Sequence, residues 1–141
     1  MFIVVDVNEL FSLLIKGTKK SEAIFFSDNI KLIAPKFLLK EFYKHKKEIL
    51  SKTHRSKEDF SKLASIFERR VEFIPKERFK ELIPEALELF PQHTKDVQYL
   101  ALAKKFDCIL WSEEKLLKKQ SFIKVLDTEE LFDFLLSSNT L

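Results

Sequence analysis

Acidic side chains follow two short apolar segments of this sequence and begin one helical segment. Asp6 comes directly after FIVV, and Glu114 comes shortly after CILW. Asp96 begins DVQYLALA, in which apolar residues recur three, four and seven positions later. This spacing puts Asp96 at the head of the apolar face of a helix, so we expect its carboxylate to be directed towards the core. The three acids are candidates for a common site, because ligands of open α/β sheets bind beyond the carboxyl ends of the strands.

Clustered carboxylates have a defined chemistry. They bind hard cations that prefer oxygen ligands, Mg²⁺ or Mn²⁺, and the chain offers no set of Cys and His ligands for a softer metal. Such cations bind phosphate oxygens and lower the pKa of a bound water, which is the chemistry of phosphodiester hydrolysis. In the absence of a cation, acids held close together repel one another and are driven towards protonation.

The same acids also have structural interpretations. Asp6 and Glu9 have the spacing of a capping box, and Asn8 could cap the helix that follows. Ser112 could be the N-cap of a helix that begins after the strand, and Glu114 would then complement the helix dipole. The sequence around each acid leaves both interpretations open.

Apolar runs alternate with helical patterns along the whole chain. Strands are predicted at residues 2–5, 31–34, 71–74, 108–111 and 122–126. Helices are predicted after Asp6, at 21–27, from Pro35 to about residue 50, at 57–70, on both sides of Pro84, from Asp96, after Ser112, and after a capping box of Asp127 and Glu130. This alternation predicts an α/β fold, a three-layer α/β/α sandwich with a central, mainly parallel sheet of about five strands.

The composition is that of a globular protein. Its 141 residues suit a single domain over 1–141, and 45% hydrophobic with 33% charged residues excludes disorder. No apolar run has the length of a membrane span and the N-terminus lacks the pattern of a signal peptide, so we expect no membrane association and a cytoplasmic location. The one cysteine, Cys108, cannot form an internal disulfide, which agrees with an intracellular setting.

A fourth acid and a basic segment lie in the middle of the chain. Glu41 is at the margin of the apolar side of its predicted helix, one turn before His45, and both residue types are common on solvated helix edges. The basic segment that follows includes Lys44, Lys47 and Arg55. These side chains could contact phosphates at the rim of a nucleic-acid site or could form a solvated helix end, and the net charge of +3 agrees with both.

Four short motifs occur in order along the chain. They are Asp-x-Asn at Asp6 and Asn8, Leu-x-x-Glu ending at Glu41, Asp-x-x-x-Leu-Ala-x-Ala from Asp96, and Ser-x-acid at Ser112 and Glu114. In this order and spacing, which covers nearly the whole chain, they resemble the PIN domain family. That family consists of small nucleases and includes the VapC-type toxins of toxin–antitoxin pairs.

The resemblance implies a PIN-like fold and a metal-dependent endoribonuclease that hydrolyses phosphodiester bonds in single-stranded RNA with Mg²⁺ or Mn²⁺. The residues that match the family's acidic, metal-binding and catalytic positions are Asp6, Glu41, Asp96 and Glu114. The residues that match its supporting polar positions are Asn8 and Ser112. The resemblance also implies two protein partners, an antitoxin and a second copy of the chain.

Two positions depart from the family pattern and leave other functions open. Glu114 stands where the family often has Asp, and Leu116 stands where it frequently has a further acid. One alternative is a PIN-fold module that binds RNA or protein without cutting. Another is a small α/β interaction domain whose acids are only helix caps. Cleavage that needs Mg²⁺ or Mn²⁺ and is lost on chelation would separate the nuclease from both.

Overall fold

A computed structural model describes residues 1–53 and 56–141 and confirms the predicted α/β sandwich. The strands are β1 (Phe2–Val5), β2 (Lys31–Pro35), β3 (Val71–Ile74), β4 (Ile109–Trp111) and β5 (Val125–Leu126). They form one parallel sheet in the order β3-β2-β1-β4-β5. The predicted sheet of about five parallel strands is therefore present.

Helices and short 3-10 turns connect the strands. The α-helices are α1 (Val7–Lys16), α2 (Lys19–Phe25), α3 (Phe37–Lys44), α4 (Lys46–Thr53), α5 (Lys57–Arg70), α6 (Ile83–Leu89), α7 (Asp96–Phe106) and α8 (Thr128–Ser137). The 3-10 turns are Lys76–Arg78, Lys80–Leu82 and Leu117–Lys119. Within the described residues, no helix combines the length and the apolarity needed to cross a bilayer.

The central strand β1 is covered on both faces. Ile3, Val4 and Val5 are fully buried, as the uninterrupted apolar run of a parallel strand predicts. Helix α7 packs on β1, β2 and β4, and α6 packs on α7. Helices α1, α3, α4 and α5 pack on one another in a second group. The apolar side chains of these layers form the core.

Helix α7 is buried on more of its faces than the one apolar face that the sequence predicted. Tyr99, Leu100 and Ala103 are buried as expected, and so are Ala101 and Leu102 on the other faces, because the helix lies between the sheet and α6. The helix ends at Asp107, whose φ of 48° is left-handed, and the N–H of Cys108 donates to the carbonyl of Ala103 at 3.0 Å. This is a Schellman-type ending, with Asp107 in the left-handed position after the helix.

The helix predicted from Pro35 to about residue 50 was wrong at its start and in its middle. Pro35 ends β2, opposite Ile74, and the N–H that continues the strand pairing comes from Lys36. The helix then breaks at His45, which has φ −93° and ψ 13°. Two shorter helices allow α3 to pack on α1 while α4 packs on both α1 and α5, which one straight helix would not do.

The predicted helix after Ser112 and the predicted strand at 122–126 were also wrong in extent. No α-helix follows Ser112 directly: between β4 and β5 the described chain forms only the 3-10 turn Leu117–Lys119, and the Ser112 hydroxyl donates to Asp6 across the sheet edge. Strand β5 begins only at Val125, because the side-chain amide of Gln120 bonds both the N–H and the carbonyl of Ile123. The capping box of Asp127 and Glu130 is confirmed, whereas Pro84 lies in the first turn of α6 instead of separating two helices.

Candidate functional site

The strand order brings the predicted acids to one edge of the sheet. The chain runs outward from β1 to β2 and β3, then returns to place β4 on the other side of β1. The carboxyl ends of β1 and β4 therefore form the switch point at which open α/β sheets bind ligands. The register pairs Val5 with Trp111, and the N–H of Asp6 donates to the Trp111 carbonyl at 3.1 Å. Asp6 and Ser112 consequently lie side by side, 106 residues apart in the chain.

Asp6 is buried and held by two hydrogen bonds. Its side chain is the N-cap of α1, with Oδ1 accepting from the N–H of Asn8 at 3.1 Å, and Oδ2 accepts from the Ser112 hydroxyl at 2.8 Å. Burial raises the pKa of Asp6, the bonds from Ser112 and Asn8 lower it, and the charges of Asp96 and Glu114 raise it further. The carboxylate is fixed in place but is electrostatically unfavourable.

The predicted capping box of Asp6 and Glu9 forms only in part. Asp6 caps the helix, but the N–H that Glu9 would have to accept is already donated to Trp111. Asn8 supports Asp6 through its backbone, and its side chain is exposed to solvent. Asn8 therefore lies next to Asp6, and its role as a supporting polar residue stays a prediction.

Asp96 and Glu114 approach Asp6 from α7 and from the segment after β4. Burial raises the pKa of Asp96, the neighbouring His93 lowers it, and the charge of Glu114 raises it. His93 Nδ1 lies 3.8 Å from Asp96 Oδ2. The exposed Glu114 is tied at its backbone, where its N–H donates to the Ser112 hydroxyl at 3.1 Å. Ser112 thus links two of the acids.

Tyr99 is a buried part of the site that the sequence indicated only as a core residue. Its hydroxyl accepts from the N–H of Val7 at 3.3 Å, next to Asp6. Burial raises the pKa of Tyr99 well above its usual value, and the charges of Asp6, Asp96 and Glu41 contribute to the rise. Tyr99 is therefore close to acids from three different elements. The available sequence signal was its position, one turn after Asp96.

Glu41 lies at the margin of the site and is engaged by basic side chains. Lys95 Nζ is 3.0 Å from Glu41 Oε1, and His45 Nε2 is 3.8 Å from Glu41 Oε2. The hydrogen bond from Lys95 lowers the pKa of Glu41, and the charges of Lys95, Lys44 and His45 lower it further. Lys95 is a site residue that the motif pattern did not identify, although it immediately precedes Asp96.

The acids fit a hard cation by donor chemistry. Among the described residues, no three His, Cys, Asp or Glu side chains are arranged closely enough to hold a metal ion. The acids nevertheless act on one another electrostatically, and all would donate carboxylate oxygens, which suits Mg²⁺ or Mn²⁺. Asp6 is fixed, whereas Glu114 is exposed and can change rotamer at its several side-chain bonds.

A further acid, Glu9, is buried near Asp6. The sequence indicated it only as a possible member of a capping box. It is 3% exposed, and its Oε1 is the buried side-chain oxygen in the described residues that has no hydrogen-bond partner. Its Oε2 lies 3.4 Å from the hydroxyl of Thr128, which also donates to Glu113 at 2.7 Å. Burial raises the pKa of Glu9 to about 8, and the charges of Glu113 and Asp6 add to that rise. Sequence reveals this residue only as an acid three positions after Asp6.

The predicted basic rim is partly described. Lys44 and Lys47 are exposed, and the charge of Lys44 acts on Glu41. Arg55 lies outside the described residues. The rim therefore includes Lys44 close to the acids, with Lys95 as an additional cation.

A family model matches most of the chain. The model of the PIN domain matches residues 4–133, a span that includes all four predicted acids. The chain belongs to the PIN domain family. PIN domains are in general nucleases.

A solved structure has the same fold. It is a chain in the crystal structure of VapBC2 from Rickettsia felis, which was bound to a DNA fragment from the VapBC2 promoter. The two chains align with a TM-score of 0.64. The alignment covers 90% of this PIN domain and 98% of the other chain at 17% identity, so the similarity is one of fold. Comparison with curated proteins gave no match.

Proposed function

We propose that this PIN domain is a metal-dependent endoribonuclease that hydrolyses single-stranded RNA. The observation that carries the proposal is the buried Asp6, held by Ser112 at the switch point, within the electrostatic range of Asp96 and Glu114. A structural cap has no need of a second and third acid that raise its pKa, because like charges destabilise the folded state. A bound divalent cation would turn this repulsion into attraction.

Asp6, Asp96 and Glu114 would hold Mg²⁺ or Mn²⁺, and Glu41 lies nearer the rim. When bound, a divalent cation supplies Lewis-acid activation of the phosphate and lowers the pKa of water. The chain's own residues prepare the site for this chemistry. Ser112 orients Asp6 through its hydroxyl and Glu114 through its backbone N–H. Tyr99 is buried beside the acids, where its hydroxyl accepts from the N–H of Val7 next to Asp6.

The position of the acids favours a flexible strand as substrate. Asp6 is only 4% exposed, so a scissile phosphate has to enter a recess at the sheet edge. A single strand can bend into such a recess more easily than a stiff duplex. Lys44 and Lys95 bring positive charge to the acids, and with the exposed Lys47 of α4 they would contact neighbouring phosphates.

Substrate and metal dependence can be measured together. We expect Mn²⁺ or Mg²⁺ to support cleavage of a single-stranded RNA, and EDTA to abolish it. An RNA duplex, and single- and double-stranded DNA of the same sequence, should be cut more slowly, and RNA affinity should fall steeply as salt rises because phosphate contacts release counterions. Gel assays with end-labelled substrates at two salt concentrations test this. Faster cutting of duplex DNA than of RNA would exclude the proposed substrate.

Lys95 should weaken metal binding, because its ammonium group forms an ion pair with the carboxylate of Glu41. We expect Lys95→Ala to tighten Mn²⁺ binding to the RNA-free protein by about 3- to 10-fold, as removal of one like charge at a partly exposed site predicts. Titration calorimetry measures the Kd directly. The control is Lys31→Ala, which removes the same charge at the opposite edge of the sheet. Equal Kd values for the two variants would show that Glu41 and Lys95 lie outside the metal's influence.

A second candidate function is a PIN fold that binds RNA without cutting it. Two observations favour it: Lys95 engages Glu41, and Leu116 is exposed at a position where the resemblance leads one to expect a further acid. RNA binding without cleavage at any Mn²⁺ or Mg²⁺ concentration would select this function.

The proposed partners follow from the same family. The VapBC2 structure is a complex with promoter DNA, and we propose that this PIN domain is the toxin of a similar pair, with an antitoxin and a second copy of itself as protein partners. We propose that it acts as a single domain in the cytoplasm. Co-expression with the product of an adjacent short gene, followed by purification of the complex, tests the pairing.

A further inference from the structure

A cleft of about 450 Å³ lies between α1 and α4, beside the acidic site. We call it the α1–α4 cleft. Its polar and charged walls are formed by Asn8, Ser12 and Lys16 of α1 and by Glu48 and Lys52 of α4, with Ile15 at its mouth. On α1 these residues recur four and then three or four positions apart, so they share one helix face. A cleft of this volume is in the range that holds one small-molecule-sized group.

Two residues that line the cleft also contact acids of the site. The backbone N–H of Asn8 donates to Asp6, and His45 Nε2 lies 3.8 Å from Glu41 Oε2. The cleft therefore borders the acidic site, and a nucleotide bound in it would lie next to a phosphate bound at the acids.

The cleft combines an apolar floor with hydrogen-bonding walls. Phe11 forms part of the floor, where its ring stacks on Phe42 at 6.1 Å and meets the ring of His45 edge-on at 5.4 Å. Ile15 is 42% exposed at the mouth, an unusual position for a large aliphatic side chain. The Ser12 hydroxyl and the exposed amide of Asn8 provide both donors and acceptors. A flat ring with polar edges, such as a nucleobase, matches this combination.

The far end of the cleft is basic. Lys16 is the last residue of α1, and Lys52 lies in the last turn of α4, where Glu48 holds its ammonium at 2.8 Å. The helical rise puts Lys16 about 12 Å along α1 from Asn8, so acids and lysines occupy opposite ends. This polarity fits an RNA strand with one phosphate at the acids and a phosphate further along the strand at the lysines.

We propose that the α1–α4 cleft is a base-binding subsite that holds a nucleotide adjacent to the scissile phosphate. The inference rests on the proposed ribonuclease function and adds to it a determinant of substrate choice. Asn8 and Ser12 contact the edge of the base, Phe11 and Ile15 contact its apolar surface, and the two lysines contact a phosphate further along the strand.

Binding in EDTA tests the subsite separately from catalysis. The protein is titrated into a fluorescein-labelled RNA hexamer, and binding is followed by fluorescence anisotropy. In a series of otherwise identical hexamers, one base is removed at each position in turn. We expect one position at which loss of the base raises the Kd about 10-fold, the size typical of one base contact. Ser12→Leu, which fills the cleft, should weaken binding of the intact hexamer by the same factor and remove the abasic penalty. Ser65→Leu, at an exposed serine of α5, is the matched control.

Two measurements keep the test decisive. Circular dichroism establishes that Ser12→Leu is folded. A 4-thiouridine at the sensitive position of the hexamer should photocrosslink to α1 or α4 of the unmodified protein. A full abasic penalty in folded Ser12→Leu, or crosslinks only elsewhere, overturns the subsite.

The outcomes also separate this inference from the proposed function. Cleavage of RNA without any base-dependent binding would leave the nuclease and remove the subsite. Base-dependent binding at the cleft without cleavage under any metal would retain the subsite and remove the nuclease.

Discussion

Asp96→Asn should abolish metal-dependent RNA cleavage, with a loss of about 100-fold or more, and should raise the melting temperature of the metal-free protein. The activity is lost because the cation needs this carboxylate as a ligand. The cation would lower the free energy of the negatively charged transition state by several kcal/mol. The stability gain has a different cause. Burial and Glu114 raise the pKa of Asp96 in the folded state, so its ionisation at neutral pH destabilises the fold, and Asn cannot ionise.

Cleavage rates and thermal unfolding in EDTA measure the two effects. Asp133→Asn is the matched control, because Asp133 is exposed on α8 and the same charge is removed. The control should leave the cleavage rate unchanged. A large loss of stability in Asp96→Asn with normal cleavage would mean that Asp96 is a structural residue of the first turn of α7.

Glu9→Gln should make the protein more stable at high pH and leave its stability nearly unchanged at low pH. Burial raises the pKa of Glu9 from 4.5 to about 8, so the folded state binds a proton that the unfolded state has lost between these values. The free energy of unfolding therefore falls as the pH rises from about 4.5 to about 8 and is constant above. At pH 9 the ionised carboxylate destabilises the fold by an amount on the order of 3–5 kcal/mol, which Gln avoids.

Urea unfolding of the two proteins at pH 5, 7 and 9 measures this difference. The other titrating groups are common to both proteins and cancel in the comparison. Glu58→Gln, at an exposed glutamate in the first turn of α5, serves as the control and should show no such pH-dependent gain. A Glu9→Gln difference that stays constant from pH 5 to pH 9 would contradict the raised pKa.

Elements with strong local patterns were predictable to the residue. The strands Phe2–Val5 and Val71–Ile74 and the helix Lys57–Arg70 have the predicted bounds, because an apolar run or an amphipathic repeat with an N-cap is sufficient to define each. Errors occurred where contacts from outside the element decided its bounds. Gln120 shortens β5 by bonding the backbone of Ile123, and the pairing of β2 with β3 keeps Pro35 in a strand.

The candidate acids could be selected from the sequence, but their arrangement could not, and their role in a site stays a prediction. Asp6, Asp96 and Glu114 were selected from their positions at strand ends and at a helix start, and the structure brings all three within electrostatic range. Glu41 was found from a motif, but its partner Lys95 was not, because nothing in a sequence indicates that a lysine 54 residues away will bond a given acid.

The sequence by itself determined the alternation of strands and helices, the parallel sheet and the identity of the acids at the strand ends. These depend on periods of two and 3.6 residues within single elements. Only the tertiary structure decided that β4 lies beside β1, and this is why Ser112 can bond Asp6. It also decided that Glu9 is buried with one oxygen that has no hydrogen-bond partner among the described residues. The cleft between α1 and α4, next to the acids, has the same origin. Contacts of this kind join elements far apart in the chain, and they form where the packing of the whole core minimises exposed apolar surface.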